Sequence, residues 1–196
     1  MSDNRPNVIM IAGPNGAGKS TAAPILLADV LGVSEFVNAD VIAQGLSAFN
    51  PEAAALAAGR IMLARLKELA AARQSFSFET TLASRTFAPW ISSLTNSGYD
   101  FHLLFLWLPS AQFAIERVAQ RVQAGGHYVP DDVVRRRYIK GLRNFFSLYQ
   151  PLATSWRVYN NAVGIDGPRL IAAGNFLAEE LVVDQAAWQS MKGQVV

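Results

Sequence analysis

Cysteine is absent from the 196-residue sequence, which removes disulfides, thiolate nucleophiles and zinc-thiolate sites together and agrees with a reducing compartment. Long apolar runs are missing as well. The longest, Leu103 to Pro109, falls far short of the ~20 residues that a membrane helix requires. Met1 to Pro6 is polar and carries Asp3 and Arg5, without the basic start and apolar stretch of an export signal. These absences predict a soluble, cytoplasmic protein with no membrane partner. Nor does one sign of charge prevail, with 17 Lys and Arg against 15 Asp and Glu. Seven arginines do gather between Arg117 and Arg157. A local cluster of that kind suits phosphate on a small ligand, and no basic, aromatic stripe tracks along the chain as nucleic-acid binding would require. No internal repeat appears, and the alanines of residues 53–72 are only a mild bias.

What is present is a 51% apolar chain, long enough for one well-buried domain and short for two. Asn7 to Ala12 is a nearly continuous apolar run ending at a glycine, which reads as a strand buried on both faces. A helix follows from Lys19 to Leu31, closed by Gly32, and then a strand from Glu35 to Asn38. Asn50, Pro51 and Glu52 together mark a helix start. Ser75 to Leu82 alternates as a strand, and Phe101 to Leu108 is a fourth strand, again buried on both faces. Ser110 caps a helix running to Gln123, and Pro130 opens another with Val134, Tyr138, Leu142, Phe145 and Tyr149 on one face. Arg157 to Asn161 and Leu170 to Ala173 complete five or six strands, followed by a C-terminal helix. Alternating strands and helices predict an α/β fold with a parallel sheet covered on both faces.

Gly13-Pro14-Asn15-Gly16-Ala17-Gly18-Lys19-Ser20 matches G-x-x-x-x-G-K-[ST] without substitution, between a strand and a helix. Such a loop converges backbone N–H groups on phosphate oxygens while the helix presents its positive end. It predicts binding of ATP or GTP, with Lys19 on the outer phosphates and the Ser20 hydroxyl on Mg²⁺. Transfer to an acceptor hydroxyl needs a carboxylate to orient the hydroxyl and take its proton. Asp40 and Glu79 lie at the carboxyl ends of the second and third strands, where ligands of open parallel sheets bind. The plainer alternatives are a helix cap for Asp40 and an exposed strand position for Glu79. The fourth strand ends without an acid, so the usual Walker B aspartate is missing there, which speaks against a motor or switch ATPase.

Arg117, Arg121, Arg135, Arg136 and Arg137 flank Gly125-Gly126-His127-Tyr128-Val129-Pro130, which predicts a glycine-hinged lid across residues 111–150. Arginines from a lid neutralise charge on the transferred group, and closure excludes water. The alternative is a solvated basic face, with at least one of Arg135, Arg136 and Arg137 as ordinary surface. His127 reads as a ligand contact or a loop residue. His102, inside the fourth strand, reads as a satisfied core histidine.

GPNGAGKST, Asn38-Ala39-Asp40, the FETTLAS segment from Phe78 to Ser84, the GGHYVP…RRRY stretch within Arg117 to Phe145, and Val158 to Asn161 together resemble the zeta-toxin family of P-loop kinases, in its shorter bacterial form. The resemblance implies a P-loop kinase fold and phosphorylation of a sugar hydroxyl of UDP-N-acetylglucosamine or a similar sugar nucleotide. It also implies restraint by an antitoxin protein. By motif, Lys19 with Gly13 to Thr21 holds the nucleotide, Asp40 is the base, Glu79 and Thr80 lie on the acceptor side with His127, and Arg121 with Arg136 or Arg137 approaches the phosphates. Another small acceptor, such as a nucleoside, an antibiotic or a polynucleotide end, fits the same residues. A nucleotide-dependent binding switch is the alternative from a different class.

Overall fold

The computed structural model describes residues 5–28, 33, 35–126, 128–162, 167–175 and 178–195. The expected helix end at Gly32 and the candidate contact His127 lie outside these residues. Among the described residues, seven strands form one sheet in the order β2-β3-β1-β4-β5-β6-β7. They are β1 (Asn7–Ala12), β2 (Glu35–Val37), β3 (Phe76–Thr80), β4 (Asp100–Trp107), β5 (Ser155–Asn160), β6 (Arg169–Asn175) and β7 (Ala178–Val182). The first five pair in parallel, and β6 and β7 are added antiparallel. Of the five or six parallel strands expected, five are parallel; the expected sixth, Leu170 to Ala173, lies in β6 and is antiparallel, and β7 adds a strand beyond it. Successive residues Val8 to Ala12 are all fully buried. Because neighbouring side chains in a strand point to opposite faces, the centre of the sheet is covered on both sides.

The helices are α1 (Lys19–Ala28), α2 (Ala39–Leu46), α3 (Pro51–Ala71), α4 (Phe87–Asn96), α5 (Ala111–Gln123), α6 (Asp131–Asn144) and α7 (Gln185–Gly193). Their starts follow local chemistry. The Asn50 and Ser110 side chains accept from the backbone N–H groups of Ala53 and Phe113, the bonds that an N-cap supplies to an otherwise unpaired first turn. After α6 the chain continues as one π turn, Phe145–Tyr149, and a short 3-10 turn, Gln150–Leu152. The stripe read from the sequence is buried throughout: Val134, Tyr138, Leu142, Phe145 and Tyr149 all belong to the core. The Tyr138 hydroxyl also donates to the Leu108 carbonyl at 2.7 Å. Both arginine-bearing helices are thus fastened to the body of the fold, α5 through Ala114, Ile115 and Val118.

At the amino ends of the central strands, His102 on β4 is bonded by both ring nitrogens. Nδ1 lies 2.8 Å from Ser155 Oγ and Nε2 lies 3.0 Å from Asn7 Oδ1. It is the satisfied histidine that its apolar surroundings predict.

Candidate active site

The carboxyl ends of β1, β2 and β3 open on a cavity of about 450 Å³. Its floor is the loop from β1 to α1. Gly16 adopts φ of +78°, and a Cβ there would stand 2.7 Å from the Ala114 carbonyl oxygen, so the close packing of α5 on the loop requires glycine. Lys19, only 8% exposed, donates to the Pro14 carbonyl at 3.0 Å and stands 3.7 Å from Glu79 Oε1. Burial pushes its amine below the usual lysine range, while the Glu79 and then the Asp40 carboxylate oppose that shift.

Glu79 reaches this position because β3 pairs directly with β1, placing Glu79 opposite Ile11. Its Oε2 accepts from the Ser20 hydroxyl at 2.8 Å and from the Asn38 amide at 2.9 Å. An acid therefore does stand beside the phosphate loop. It comes from β3, on the flank of β1 opposite β4, so the lack of an acid on the fourth strand does not leave the site without one. Glu79 is 9% exposed, and its hydrogen bonds and the nearby lysine are what a buried carboxylate needs.

Asp40 lines the same cavity. It is not the cap of its helix: α2 begins at Ala39, and the Asn38 side chain accepts from the N–H groups of Asp40 and Val41. With capping done by Asn38, the Asp40 carboxylate is left for the cavity. Asn38 thus serves twice, its oxygen capping α2 and its amide orienting Glu79. In the sequence Asn38 stands out only as part of the Asn38-Ala39-Asp40 motif. The signal available was an asparagine before a helix start, followed by an acid.

The arginines separate by helical phase. Arg117 and Arg121, one turn apart on α5, line the cavity, and so does Arg137 of α6. Arg137 Nη1 reaches Asn15 Oδ1 of the phosphate loop at 3.4 Å. Arg136 does not join them. One residue turns an α-helix by about 100°, and Arg136, like Arg135, is exposed outside the cavity lining. Of the two, Arg137 is the one that the structure places in the cavity. Asn15, Gly16, Gly18, Ser20, Thr21 and Thr80 also line the cavity, whereas Gly13, Pro14 and Ala17 do not. Thr81, which sequence reasoning missed, lines it as well.

The loop after β3 completes the wall. Leu82 holds a left-handed backbone with φ of 56°, unusual for a residue with a bulky side chain. Its N–H donates to Thr80 Oγ1 at 3.1 Å, and its carbonyl accepts from Asn144 Nδ2 at 2.6 Å. Gly141, one turn beyond Arg137, lets α6 approach so closely that a Cβ would lie 2.5 Å from the Thr81 carbonyl oxygen. The Tyr149 hydroxyl donates to the Ser84 carbonyl at 2.8 Å. One helix and the turn after it thereby hold an arginine over the phosphate loop and the loop bearing Thr80 and Thr81 in place.

The family model described as zeta toxin matches residues 1–162. The chain belongs to the zeta-toxin family. As a member of this family it is a P-loop kinase, and the sheet order and phosphate loop agree with that assignment. An uncharacterized protein of Haemophilus influenzae is 27% identical over 130 residues, covering 66% of this chain and 91% of its own length. Among solved structures, the AvrRxo1-ORF1:AvrRxo1-ORF2 complex with sulphate ions is matched with a TM-score of 0.75 at 16% identity over 100% of this chain. The match spans 66% of that chain's length. The same complex with ATP gives a TM-score of 0.71 at 17% identity, with 100% of this chain and 66% of that one covered. The PezAT toxin-antitoxin system of Streptococcus pneumoniae gives a TM-score of 0.66 at 14% identity, covering 100% of this chain and 88% of that one. At such identities the likeness is one of fold. Among the described residues, no helix is long and apolar enough to cross a membrane.

Proposed function

We propose that this protein transfers the γ-phosphoryl group of ATP to a sugar hydroxyl of UDP-N-acetylglucosamine or a closely similar sugar nucleotide, with Asp40 as the base. The observation that carries the proposal is the single cavity joining Asp40, Glu79, Lys19 and Ser20 with Arg121 and Arg137. In this reading the acceptor hydroxyl, oriented by Asp40, attacks the γ-phosphorus. The bond from phosphorus to the β-γ bridging oxygen breaks, ADP leaves, and the hydroxyl proton passes to the Asp40 carboxylate. Lys19, Arg121 and Arg137 offset the charge on the transferred group. Thr80 at the end of β3 and Thr81 after it, both lining the cavity, offer hydroxyls to the acceptor.

The Ser20 hydroxyl and the Glu79 carboxylate, 2.8 Å apart, are hard oxygen donors of the kind magnesium takes, with water and phosphate oxygens completing its shell. A magnesium ion held there would neutralise charge between the outer phosphates and orient them. ATP is preferred to GTP in this proposal because a structure of the matched AvrRxo1-ORF1:-ORF2 complex carries ATP. That complex and PezAT are assemblies of two proteins, which supports an antitoxin-like protein partner for this chain. Since Glu79 supplies an acid beside the phosphate loop, the kinase reading over a switch rests on membership of the family and on the place of Asp40.

The test is transfer from γ-labelled ATP to UDP-N-acetylglucosamine, other sugar nucleotides, nucleosides and oligonucleotides. Label is expected on the sugar nucleotide, and Asp40→Asn should lower kcat by about 10²- to 10⁴-fold. Label on a nucleoside or oligonucleotide alone would overturn the acceptor, and undiminished transfer by Asp40→Asn would overturn the base.

A further inference from the structure

Asn161 follows the last residue of β5 and is fixed on the sheet, its N–H donating to the Trp107 carbonyl at 3.2 Å. From there it contacts the phosphate loop from behind. Its side-chain Nδ2 donates to the Ala17 carbonyl at 2.6 Å, and its own carbonyl accepts from Arg117 Nη1 at 3.0 Å. The same amide lies 2.8 Å from where a Cβ on Gly18 would stand, and Gly18 has φ of +71°. Both the backbone and this neighbour therefore demand glycine at that position.

The peptide between Ala17 and Gly18 is planar and trans, so its carbonyl and its N–H point in opposite directions. Gly18 lines the cavity; Ala17 and Asn161 do not. A carbonyl directed back toward Asn161 turns the Gly18 N–H forward, to the side where a nucleotide's phosphates would lie. Were the peptide to flip, the loop would present a carbonyl oxygen to an anion instead of a donor. The loop's capacity for phosphate depends on such donors pointing one way.

The geometry points to Asn161 as a positioning residue for the phosphate cradle: it locks the Ala17-Gly18 peptide with its N–H toward the phosphates and holds Arg117 against the loop by its own carbonyl. This inference rests on the nucleotide-binding part of the proposed function and is independent of the acceptor. It also sets Asn161 apart from a contact to the nucleotide base, because its effect runs through the loop backbone and falls on any polyphosphate.

Calorimetric titration of the full chain with Mg-ATP and with tripolyphosphate separates these cases. Asn161→Leu, with the same number and branching of side-chain heavy atoms but no donor, and Asn161→Asp, close in shape but with the donor replaced by an acceptor, are compared with the wild type, and thermal melting monitors the fold. Loss of one well-placed hydrogen bond should weaken both ligands by a similar factor, about tenfold, and Asn161→Asp should be at least as damaging as Asn161→Leu. Weakening of ATP alone would overturn the inference in favour of a base contact, and so would unchanged affinity for both ligands in a variant that melts like the wild type. If Asn161→Leu fails to fold, Asn161→Asp alone decides by the same two outcomes. A wild-type protein that bound neither ligand would instead remove the nucleotide reading itself, and the inference with it.

Discussion

The two walls of the cavity solve the same backbone problem by different means. On the phosphate side the chain makes its left-handed turns at glycines, Gly16 and Gly18 among them, and neighbours pack against the space where side chains would be. On the other side the turn is made at Leu82, whose left-handed backbone works against its own side chain. Such a conformation persists only where the surroundings over-determine it, at a cost on the order of 1–3 kcal/mol. Here both polar groups of the Leu82 backbone are held by side chains, one from Thr80 and one from Asn144. The Leu82 side chain is fully buried. Glycine makes the first wall available locally, whereas long-range contacts impose the second.

The largest effect is expected on the phosphate wall. Lys19→Met removes the cation standing between the loop and Glu79 and should lower kcat on the order of 10³-fold, measured with labelled ATP, while the melting temperature shows that the fold survives. Survival of most activity would mean that the loop backbone and the arginines carry the charge unaided.

Gly141→Ala strikes the other wall. The added carbon must displace either α6 or the Thr81 carbonyl, and overpacking of backbone against backbone should cost about 2–3 kcal/mol in denaturant unfolding. Because Arg137 lies one turn earlier on the same helix, turnover should fall as well. Gly59→Ala, in α3, is the control. Nothing lies within 4 Å of its added carbon, and alanine should stabilise that helix by about 0.5–1 kcal/mol. If both variants behaved alike, the close approach of α6 would not be what holds the Thr80 loop.

This contrast also explains what the sequence disclosed. The phosphate loop was legible because its constraints lie within Gly13 to Ser20, and the burial of β1 and β4 followed from unbroken apolar runs. Glu79 was found at the right strand end, yet its bond to Ser20 spans 59 positions and depends on β3 rather than β4 flanking β1 on that side. That is a matter of strand order, which no local pattern carries. Arg137 could be told from Arg136 only once Val134 and Tyr138 had fixed the phase of α6. The hairpin of β6 and β7 was half seen, since Leu170 to Ala173 is an apolar run whereas Ala178 to Val182 contains Glu179 and Glu180 and does not alternate. Asn161 stands in the Val158 to Asn161 stretch that resembles the family, yet nothing local marks a role for it or for Asn144. Each is an asparagine whose meaning lies in a carbonyl 62 or 144 positions away.

Asn144→Ala tests the lock more gently than Gly141→Ala. It opens space and leaves the buried Leu82 carbonyl without its side-chain donor, at a cost of about 1–2 kcal/mol. Since Leu82 anchors the segment bearing Thr80 and Thr81, the KM for the acceptor should rise while the KM for ATP stays as in the wild type. A merely structural role would lower stability and leave that ratio unmoved.

The smallest effect belongs to neither wall and marks how far their influence extends. His102 sits at the opposite end of the central strands, between Ser155 and Asn7. Burial lowers its pKa from the ordinary 6.5, Asp100 opposes the shift and Arg157 adds to it. A base with a lower pKa in the folded state binds fewer protons there than in the unfolded chain, so stability rises with pH across that interval. Its contribution is complete above pH 6.5 and is lost as pH falls toward the lowered value. His102→Gln, which keeps one donor and one acceptor, should therefore flatten the acid side of the melting-temperature profile below that pH. Affinity for Mg-ATP at neutral pH should not change, because both ring nitrogens of His102 bond to Ser155 and Asn7, at the amino ends of their strands. An unaltered acid slope would mean that protonated His102 is as well accommodated as the neutral ring, with the Ser155 hydroxyl turning to accept where it had donated.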